Sequence, residues 1–323
     1  MTWYVEEGVG EERAVRLDGD SIVEARIAWP GELTAGQIED AVLISRAAGS
    51  RRGTAHFASG EEALVDRLPP SAAEGAAIRL EVTRPALGER HRRKLARARP
   101  TSADPRPAPT LADQLGAVGN DVRIVRRFPA GDWFDLLSEA FAGEVAFPGG
   151  ALQFSPTPAM LLVDVDGPLD PRSLALAAVS PLTDAIRRFD LGGSIGIDFP
   201  TLQSKDDRRA VDQALGTALA EWPHERTAMN GFGFIHLVAR LERPSLLHRA
   251  AFARASMAAR SVLRRAERLD GAGTLLLTGH PALEAQLKPE WLTELARRSG
   301  REVRWESNPA LALEAPQAQL VPR

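Results

Sequence analysis

The chain's 323 residues, 44% hydrophobic and 26% charged, are enough for about two globular domains and a substantial core. With no cysteine it has no disulfide framework, no thiolate zinc site and no cysteine nucleophile, and its formal net charge of -3 gives a polyanion only local basic patches to hold. No apolar run approaches the ~18 residues of a membrane span, and the opening residues carry neither a basic leader nor an apolar export core, so a soluble, cytoplasmic protein without membrane contact is expected.

In chain order, Arg13 to Asp18 and Ile22 to Ala28 alternate apolar and polar at period two around the turn Asp18-Gly-Asp20, which predicts a hairpin. From Gly36 to Thr83, strand-like pieces at 41–45, 53–57, 63–66 and 78–83 are separated by Gly, Pro and Ser clusters, the spacing of a small barrel. A basic run from Arg90 to Arg99, six of its ten residues Lys or Arg, leads into a stretch from Pro100 to Pro109 with four prolines, which reads as a linker.

Beyond it the pattern becomes α/β. Residues 132–141 have helical periodicity, 151–154 and 159–165 read as strands, and the second is apolar enough for a sheet covered on both faces. A helix starts at Asp170-Pro171; Pro181 is expected to break or restart it, with Ser180 as the new cap. Residues 194–199 form the next strand, and Ser204 with Asp207 opens a helix whose apolar side is Val211, Leu215, Leu219 and Trp222. The remainder reads as one long Arg/Ala-rich helix over 246–269, a strand at 274–278, a helix at 290–298 and a strand at 302–305.

The sharpest chemical pattern is Asp164 and Asp198, each closing an apolar strand, thirty-four positions apart across a helical crossover. A right-handed crossover would bring both carboxylates to one edge of a parallel sheet, where they could hold a hard divalent cation, Mg²⁺ or Mn²⁺ in its place, with Asp166 as a third oxygen donor. An aspartate that merely caps the next loop is the other reading. Gly192-Gly-Ser-Ile-Gly196 has the letters of a serine-hydrolase elbow, but Ser194 enters a strand where the elbow requires an exit. The histidines lack zinc spacing, so no zinc is expected, and His236 and His248 fall in helix-like stretches. Phe57 beside Arg51 and Arg52 fits a base-stacking ring with phosphate-holding arginines, or a core ring beside a solvated loop. Arg92, Arg93 and Lys94 could form a phosphate track, and the six arginines between Arg249 and Arg268 a phosphate contact, an interface or an exposed face.

The stretch Phe189-Asp-Leu-Gly-Gly-Ser-Ile-Gly-Ile-Asp-Phe199 resembles the catalytic core of the ribonuclease E/G family. In the same order, Trp133 to Leu152 resembles the segment leading to the first catalytic strand, and Thr157 to Asp166 the strand bearing the first metal ligand. Lys205 to Asp212, Phe232-Gly233 and Pro244-Ser-Leu246 follow, while 36–83 looks like a shortened RNA-binding OB domain. The resemblance implies an Mg²⁺-dependent endoribonuclease acting on single-stranded RNA in processing or decay, or an RNA-binding relative that no longer cuts. It implies Asp164 and Asp198 as metal ligands and catalytic residues, Asp166 where the family usually has asparagine, and Phe57 as an RNA-stacking ring. The implied layout is mixed α/β and β, in several domains. Residues 1–35 and 121–156 would form a ribonuclease-H-like subdomain, 36–85 an inserted OB-like barrel and 86–120 a linker. Residues 157–243 would form the α/β catalytic domain, and 244–323 a small α/β domain for homo-oligomerisation. Three departures stand out: the family's zinc-linking cysteines are missing, the chain is too short between Thr83 and Val122 for a five-prime sensor, and Gly231 stands where a basic residue usually precedes Phe-Gly.

Overall fold

A computed structural model describes residues 2–89 and 93–322. Three antiparallel strands come first, β1 (Trp3–Gly8), β2 (Glu11–Asp18) and β3 (Ser21–Ala28), so the expected hairpin is the outer part of a meander. The chain then builds a barrel from β4 (Ile38–Arg46), β5 (Gly53–His56), β6 (Glu62–Val65) and β7 (Ala77–Arg84). A short ribbon, β8 (Leu87–Gly88) with β9 (Arg93–Lys94), leads to β10 (Ala96–Pro100). This last strand pairs in parallel with β6 and antiparallel with β7, closing a five-stranded barrel of order β10-β6-β5-β4-β7 that is compatible with an OB-like fold. The span 86–120 is therefore more than a linker. Its alternating Ala96, Arg97, Ala98 puts two alanines into the barrel core, and Thr110 and Asp113 form a reciprocal capping box on α1 (Leu111–Ala117). Strand β11 (Val122–Ile124) then pairs in parallel with β1, so the barrel is inserted between the strands of one four-stranded sheet.

Asp132 caps α2 (Trp133–Ala142), and Gly143 ends it in the left-handed region. A six-stranded sheet follows, made of β12 (Glu144–Phe147), β13 (Gly150–Pro156), β14 (Leu161–Asp166), β15 (Gly193–Asp198), β16 (His224–Arg226) and β17 (Phe234–Ala239). Its order is β12-β13-β14-β15-β17-β16; β14 and β15 run parallel and the other neighbours antiparallel. Parallel neighbours need a crossover, here α3 (Pro171–Arg188), which packs against β12, β13 and β14; α4 (Lys205–Ala218), capped by Ser204, packs on α3. Pro181 neither breaks nor restarts α3. Buried residues lie on both sides of it, Leu174, Ala175 and Ala178 before and Leu182, Ala185 and Ile186 after. Ending the helix there would take one of these rows out of the shared core, a larger loss than the ~3 kcal/mol of an internal proline. The sheet is also covered on one face only. Leu161, Val163 and Val165 are buried, whereas Leu162, Asp164 and Asp166 are exposed.

The expected long helix over 246–269 is two helices, α5 (Leu246–Phe252) and α6 (Arg254–Glu267), separated at Ala253 with φ -134°. Its arginines do not form one exposed face: Arg249, Arg260 and Arg264 are buried. Arg249 and Arg260 each lie within 4 Å of the Trp29 ring centre, and Arg249 pairs with Glu32. Beyond α6 come β18 (Thr274–Gly279), the short α7 (Pro281–Glu284), α8 (Pro289–Ser299), β19 (Val303–Ser307) and β20 (Gln317–Val321). These strands form a sheet of order β19-β18-β20 whose core includes Val9 from the turn between β1 and β2. Among the described residues no helix is long and apolar enough to cross a membrane.

Candidate metal site and the barrel surface

Strands β14 and β15 run in register: Leu161 opposite Ile195, Val163 opposite Ile197, and Asp164 opposite Asp198. Residues directly opposite in neighbouring parallel strands share a face, and their backbones are about 4.8 Å apart. The two aspartates thus stand side by side at the carboxyl ends of their strands, on the uncovered face. Both are exposed, and neither makes an ion pair or side-chain hydrogen bond among the described residues. Adjacent carboxylates with no cation between them repel, so the arrangement suits a hard cation that takes oxygen ligands and keeps waters. Asp166 lies one pleat further along β14, opposite Ala151 and past the end of β15, so it is beside the pair on the same face. Among the described residues no three acids or histidines form a ready-made cluster.

The pair's neighbours follow from the same register. Gln153 is opposite Asp164 on β13, and Phe234 is opposite Asp198 on β17. His236 is a strand residue, not a helical one, because β17 closes the gap between β15 and β16. Its Nε2 lies 2.6 Å from Ser194 Oγ, but Ser194 is the second residue of β15, without the strand-to-helix turn that presents a hydrolase serine.

On the barrel the placement differs from the sequence reading. Phe57 is 1% exposed and packs in the barrel core with Leu43, Ala55, Val65 and Leu80, so its ring cannot stack on a base. The alternation contained this outcome: Ala55 and Phe57 point inward while Thr54 and His56 point outward, and a period-two strand admits no mixture. Arg51 donates through Nε to the Leu68 carbonyl at 3.1 Å, and Arg52 pairs with Asp66 at 2.9 Å. Arg93 pairs with Glu61, Lys94 with Glu89 at 2.6 Å and Arg99 with Glu81 at 2.8 Å; Arg92 lies outside the described residues. Three of the four described basic residues of the run, Arg93, Lys94 and Arg99, are thus matched by acids. The outward face of β4 to β6 instead presents Val42, Ile44 and Leu64, with Arg97 opposite Leu64 on β10.

Sequence reasoning named Phe232 only within the Phe-Gly motif and assigned its ring no role. At 80% exposure it is the barest large apolar side chain among the described residues, and it stands at the same sheet edge as the aspartate pair. Its signal in the sequence was an aromatic between two glycines, where no helix or strand pattern would bury it. Compared with known proteins, the chain matches no protein-family model and no curated protein.

Proposed function

We propose that this protein is a metal-dependent endoribonuclease that hydrolyses single-stranded RNA, akin to the ribonuclease E/G family. One observation carries the reading: two unpartnered, exposed aspartates in direct register at the carboxyl ends of adjacent parallel strands. The ordered motifs from Trp133 to Leu246 support it, as does a barrel compatible with an OB-like fold ahead of the sheet. Asp164 and Asp198 would hold Mg²⁺ or Mn²⁺, with Asp166 on the same strand face as a third oxygen donor. When bound, such an ion activates water and stabilises charge developing on the scissile phosphate.

The chain's own part is positional. Sheet pairing fixes the backbones that carry both aspartates, so their Cα positions are set before the substrate arrives. The open face leaves room for an extended strand, and the barrel's outward strip of Val42, Ile44 and Leu64 with Arg97 offers a second contact. The ribonuclease-H-like role is assigned to residues 1–35 and 121–156, although β12 and β13 within them are strands of the central sheet. The outer strands β19 and β20 of the last sheet are edges suited to self-association.

The test is incubation of the purified protein with a single-stranded RNA, with Mg²⁺ and with EDTA. Mg²⁺-dependent cuts by the wild type are expected. Asp164→Asn and Asp198→Asn should each slow cleavage at least about a hundredfold, ~2.7 kcal/mol of transition-state stabilisation, with RNA affinity nearly unchanged. Wild-type-like cutting by both variants would reject the site. Binding without cutting by the wild type would make the chain an RNA-binding relative that has lost cleavage.

A further inference from the structure

Phe232 is bare but not loose. Asn230 Oδ1 accepts the backbone N–H of Phe232 at 2.9 Å and that of Phe234 at 3.0 Å, while Gly233 N–H donates to the Asn230 carbonyl at 3.2 Å. The turn is also tied to the exit of β15. Phe199 N–H donates to the Gly233 carbonyl at 3.2 Å, and the Thr201 hydroxyl donates to the Phe232 carbonyl at 3.3 Å. Gly233 has φ +93°, and a side chain there would collide with the Phe199 carbonyl, so the backbone beneath the ring has little freedom.

The turn is anchored to the residue that follows Asp198, and Phe234 lies directly opposite Asp198. Next to that aspartate the open face is apolar. Phe234, Met160 and Leu162 converge over Gly196, where a Cβ would lie 2.5, 2.9 and 3.0 Å from their nearest atoms. An exposed aromatic ring on a fixed turn loses little conformational entropy when a flat partner covers it. The acids beside it disfavour a bare phosphate at the ring and leave a planar, uncharged group as the suitable occupant.

We infer that Phe232 is a stacking platform for one nucleobase of a single strand, holding that base while the adjoining phosphodiester faces Asp164 and Asp198. The inference rests on the endoribonuclease reading for the identity of the strand. It moves base recognition from the barrel's Phe57, which is buried, to the edge of the central sheet.

The test measures binding of a labelled single-stranded RNA to the full chain in EDTA, and cleavage of the same RNA in Mg²⁺. Phe232→Ala should weaken binding about tenfold, within the range for loss of one stacked base, with an unchanged melting temperature. Phe232→Tyr and Phe232→Trp should keep wild-type affinity, whereas Phe232→Leu, which retains apolar bulk without a π-face, should behave like the alanine variant. In RNAs carrying a single abasic nucleotide, one position near the cut should bind wild type and Phe232→Ala equally, because the stacked base is already gone. Wild-type affinity in Phe232→Ala, or full affinity in Phe232→Leu, would overturn the inference while leaving cleavage intact. A wild type that binds in a Phe232-dependent way but never cuts would overturn the endonuclease reading and leave the platform standing.

Discussion

Two groups of charges in this molecule have opposite fates. At the edge of the central sheet, Asp164 and Asp198 are exposed, like-charged and unpartnered. Between the first sheet and the C-terminal helices, Glu6, Glu11, Arg13 and Arg264 are buried, and each meets a partner of opposite charge. Arg13 Nε is 2.6 Å from Glu11 and its Nη1 3.2 Å from Glu6; Glu6 also takes Arg264 and the Phe128 N–H, and Glu11 takes the Trp29 indole N–H at 3.0 Å. Burial removes water as a partner, so these groups persist only because each meets its opposite. The aspartates retain water and need no partner to fold, which leaves them available for chemistry. The lesson is that a carboxylate's environment, not its place on a strand, separates a buried, paired acid from an exposed, unpartnered one, since both kinds lie on strands here.

The comparison can be broken most forcefully at Arg13. Arg13→Met leaves two buried acids short of a cation and should cost about 3–5 kcal/mol, read as a fall in the urea midpoint. A variant as stable as the wild type would mean that the network contributes nothing to holding the first sheet on α6. At the other site, Asp164→Asn should change stability by less than about 0.5 kcal/mol in the same assay, and any change should be stabilising because it relieves repulsion with Asp198. A large destabilisation there would assign the aspartate a structural role.

The smallest effect is expected at His248 on α5. Burial holds its imidazole below the ordinary value, Lys94 adds to that, and Glu89 opposes it. The unfolded chain therefore takes up the proton first. This contribution to stability is complete above about pH 6.5 and is lost as the pH falls below it. The melting temperature of the wild type should accordingly drop more between about pH 7.5 and about pH 5.5 than that of His248→Gln. Equal slopes would show that the group titrates alike in both states.

Local signals in the sequence determined local structure. Asp170 and Ser204 each cap the helix that their side-chain oxygens foretell, the alternation of 13–18 and 22–28 makes the expected strands, and the spaced barrel segments make theirs. The apolar runs ending in Asp164 and Asp198, with a crossover between them, made the candidate site legible, because strand direction and crossover hand follow from backbone sterics alone. Tertiary structure decided the rest. Ala96 to Pro100 became the barrel's closing strand, and 122–124 returned to β1, since pairing between distant segments leaves little trace in either one. Pro181 stayed inside α3 because the core on both sides of it outweighed one lost hydrogen bond, while Ala253, with no breaker residue, divided α5 from α6. Phe57 and Phe232 are the same residue type. Alternation put Phe57 on the inward side of its strand and flanking glycines left Phe232 outside any pattern, but closure of the barrel over one ring and the hydrogen-bonded turn beneath the other made one buried and the other bare.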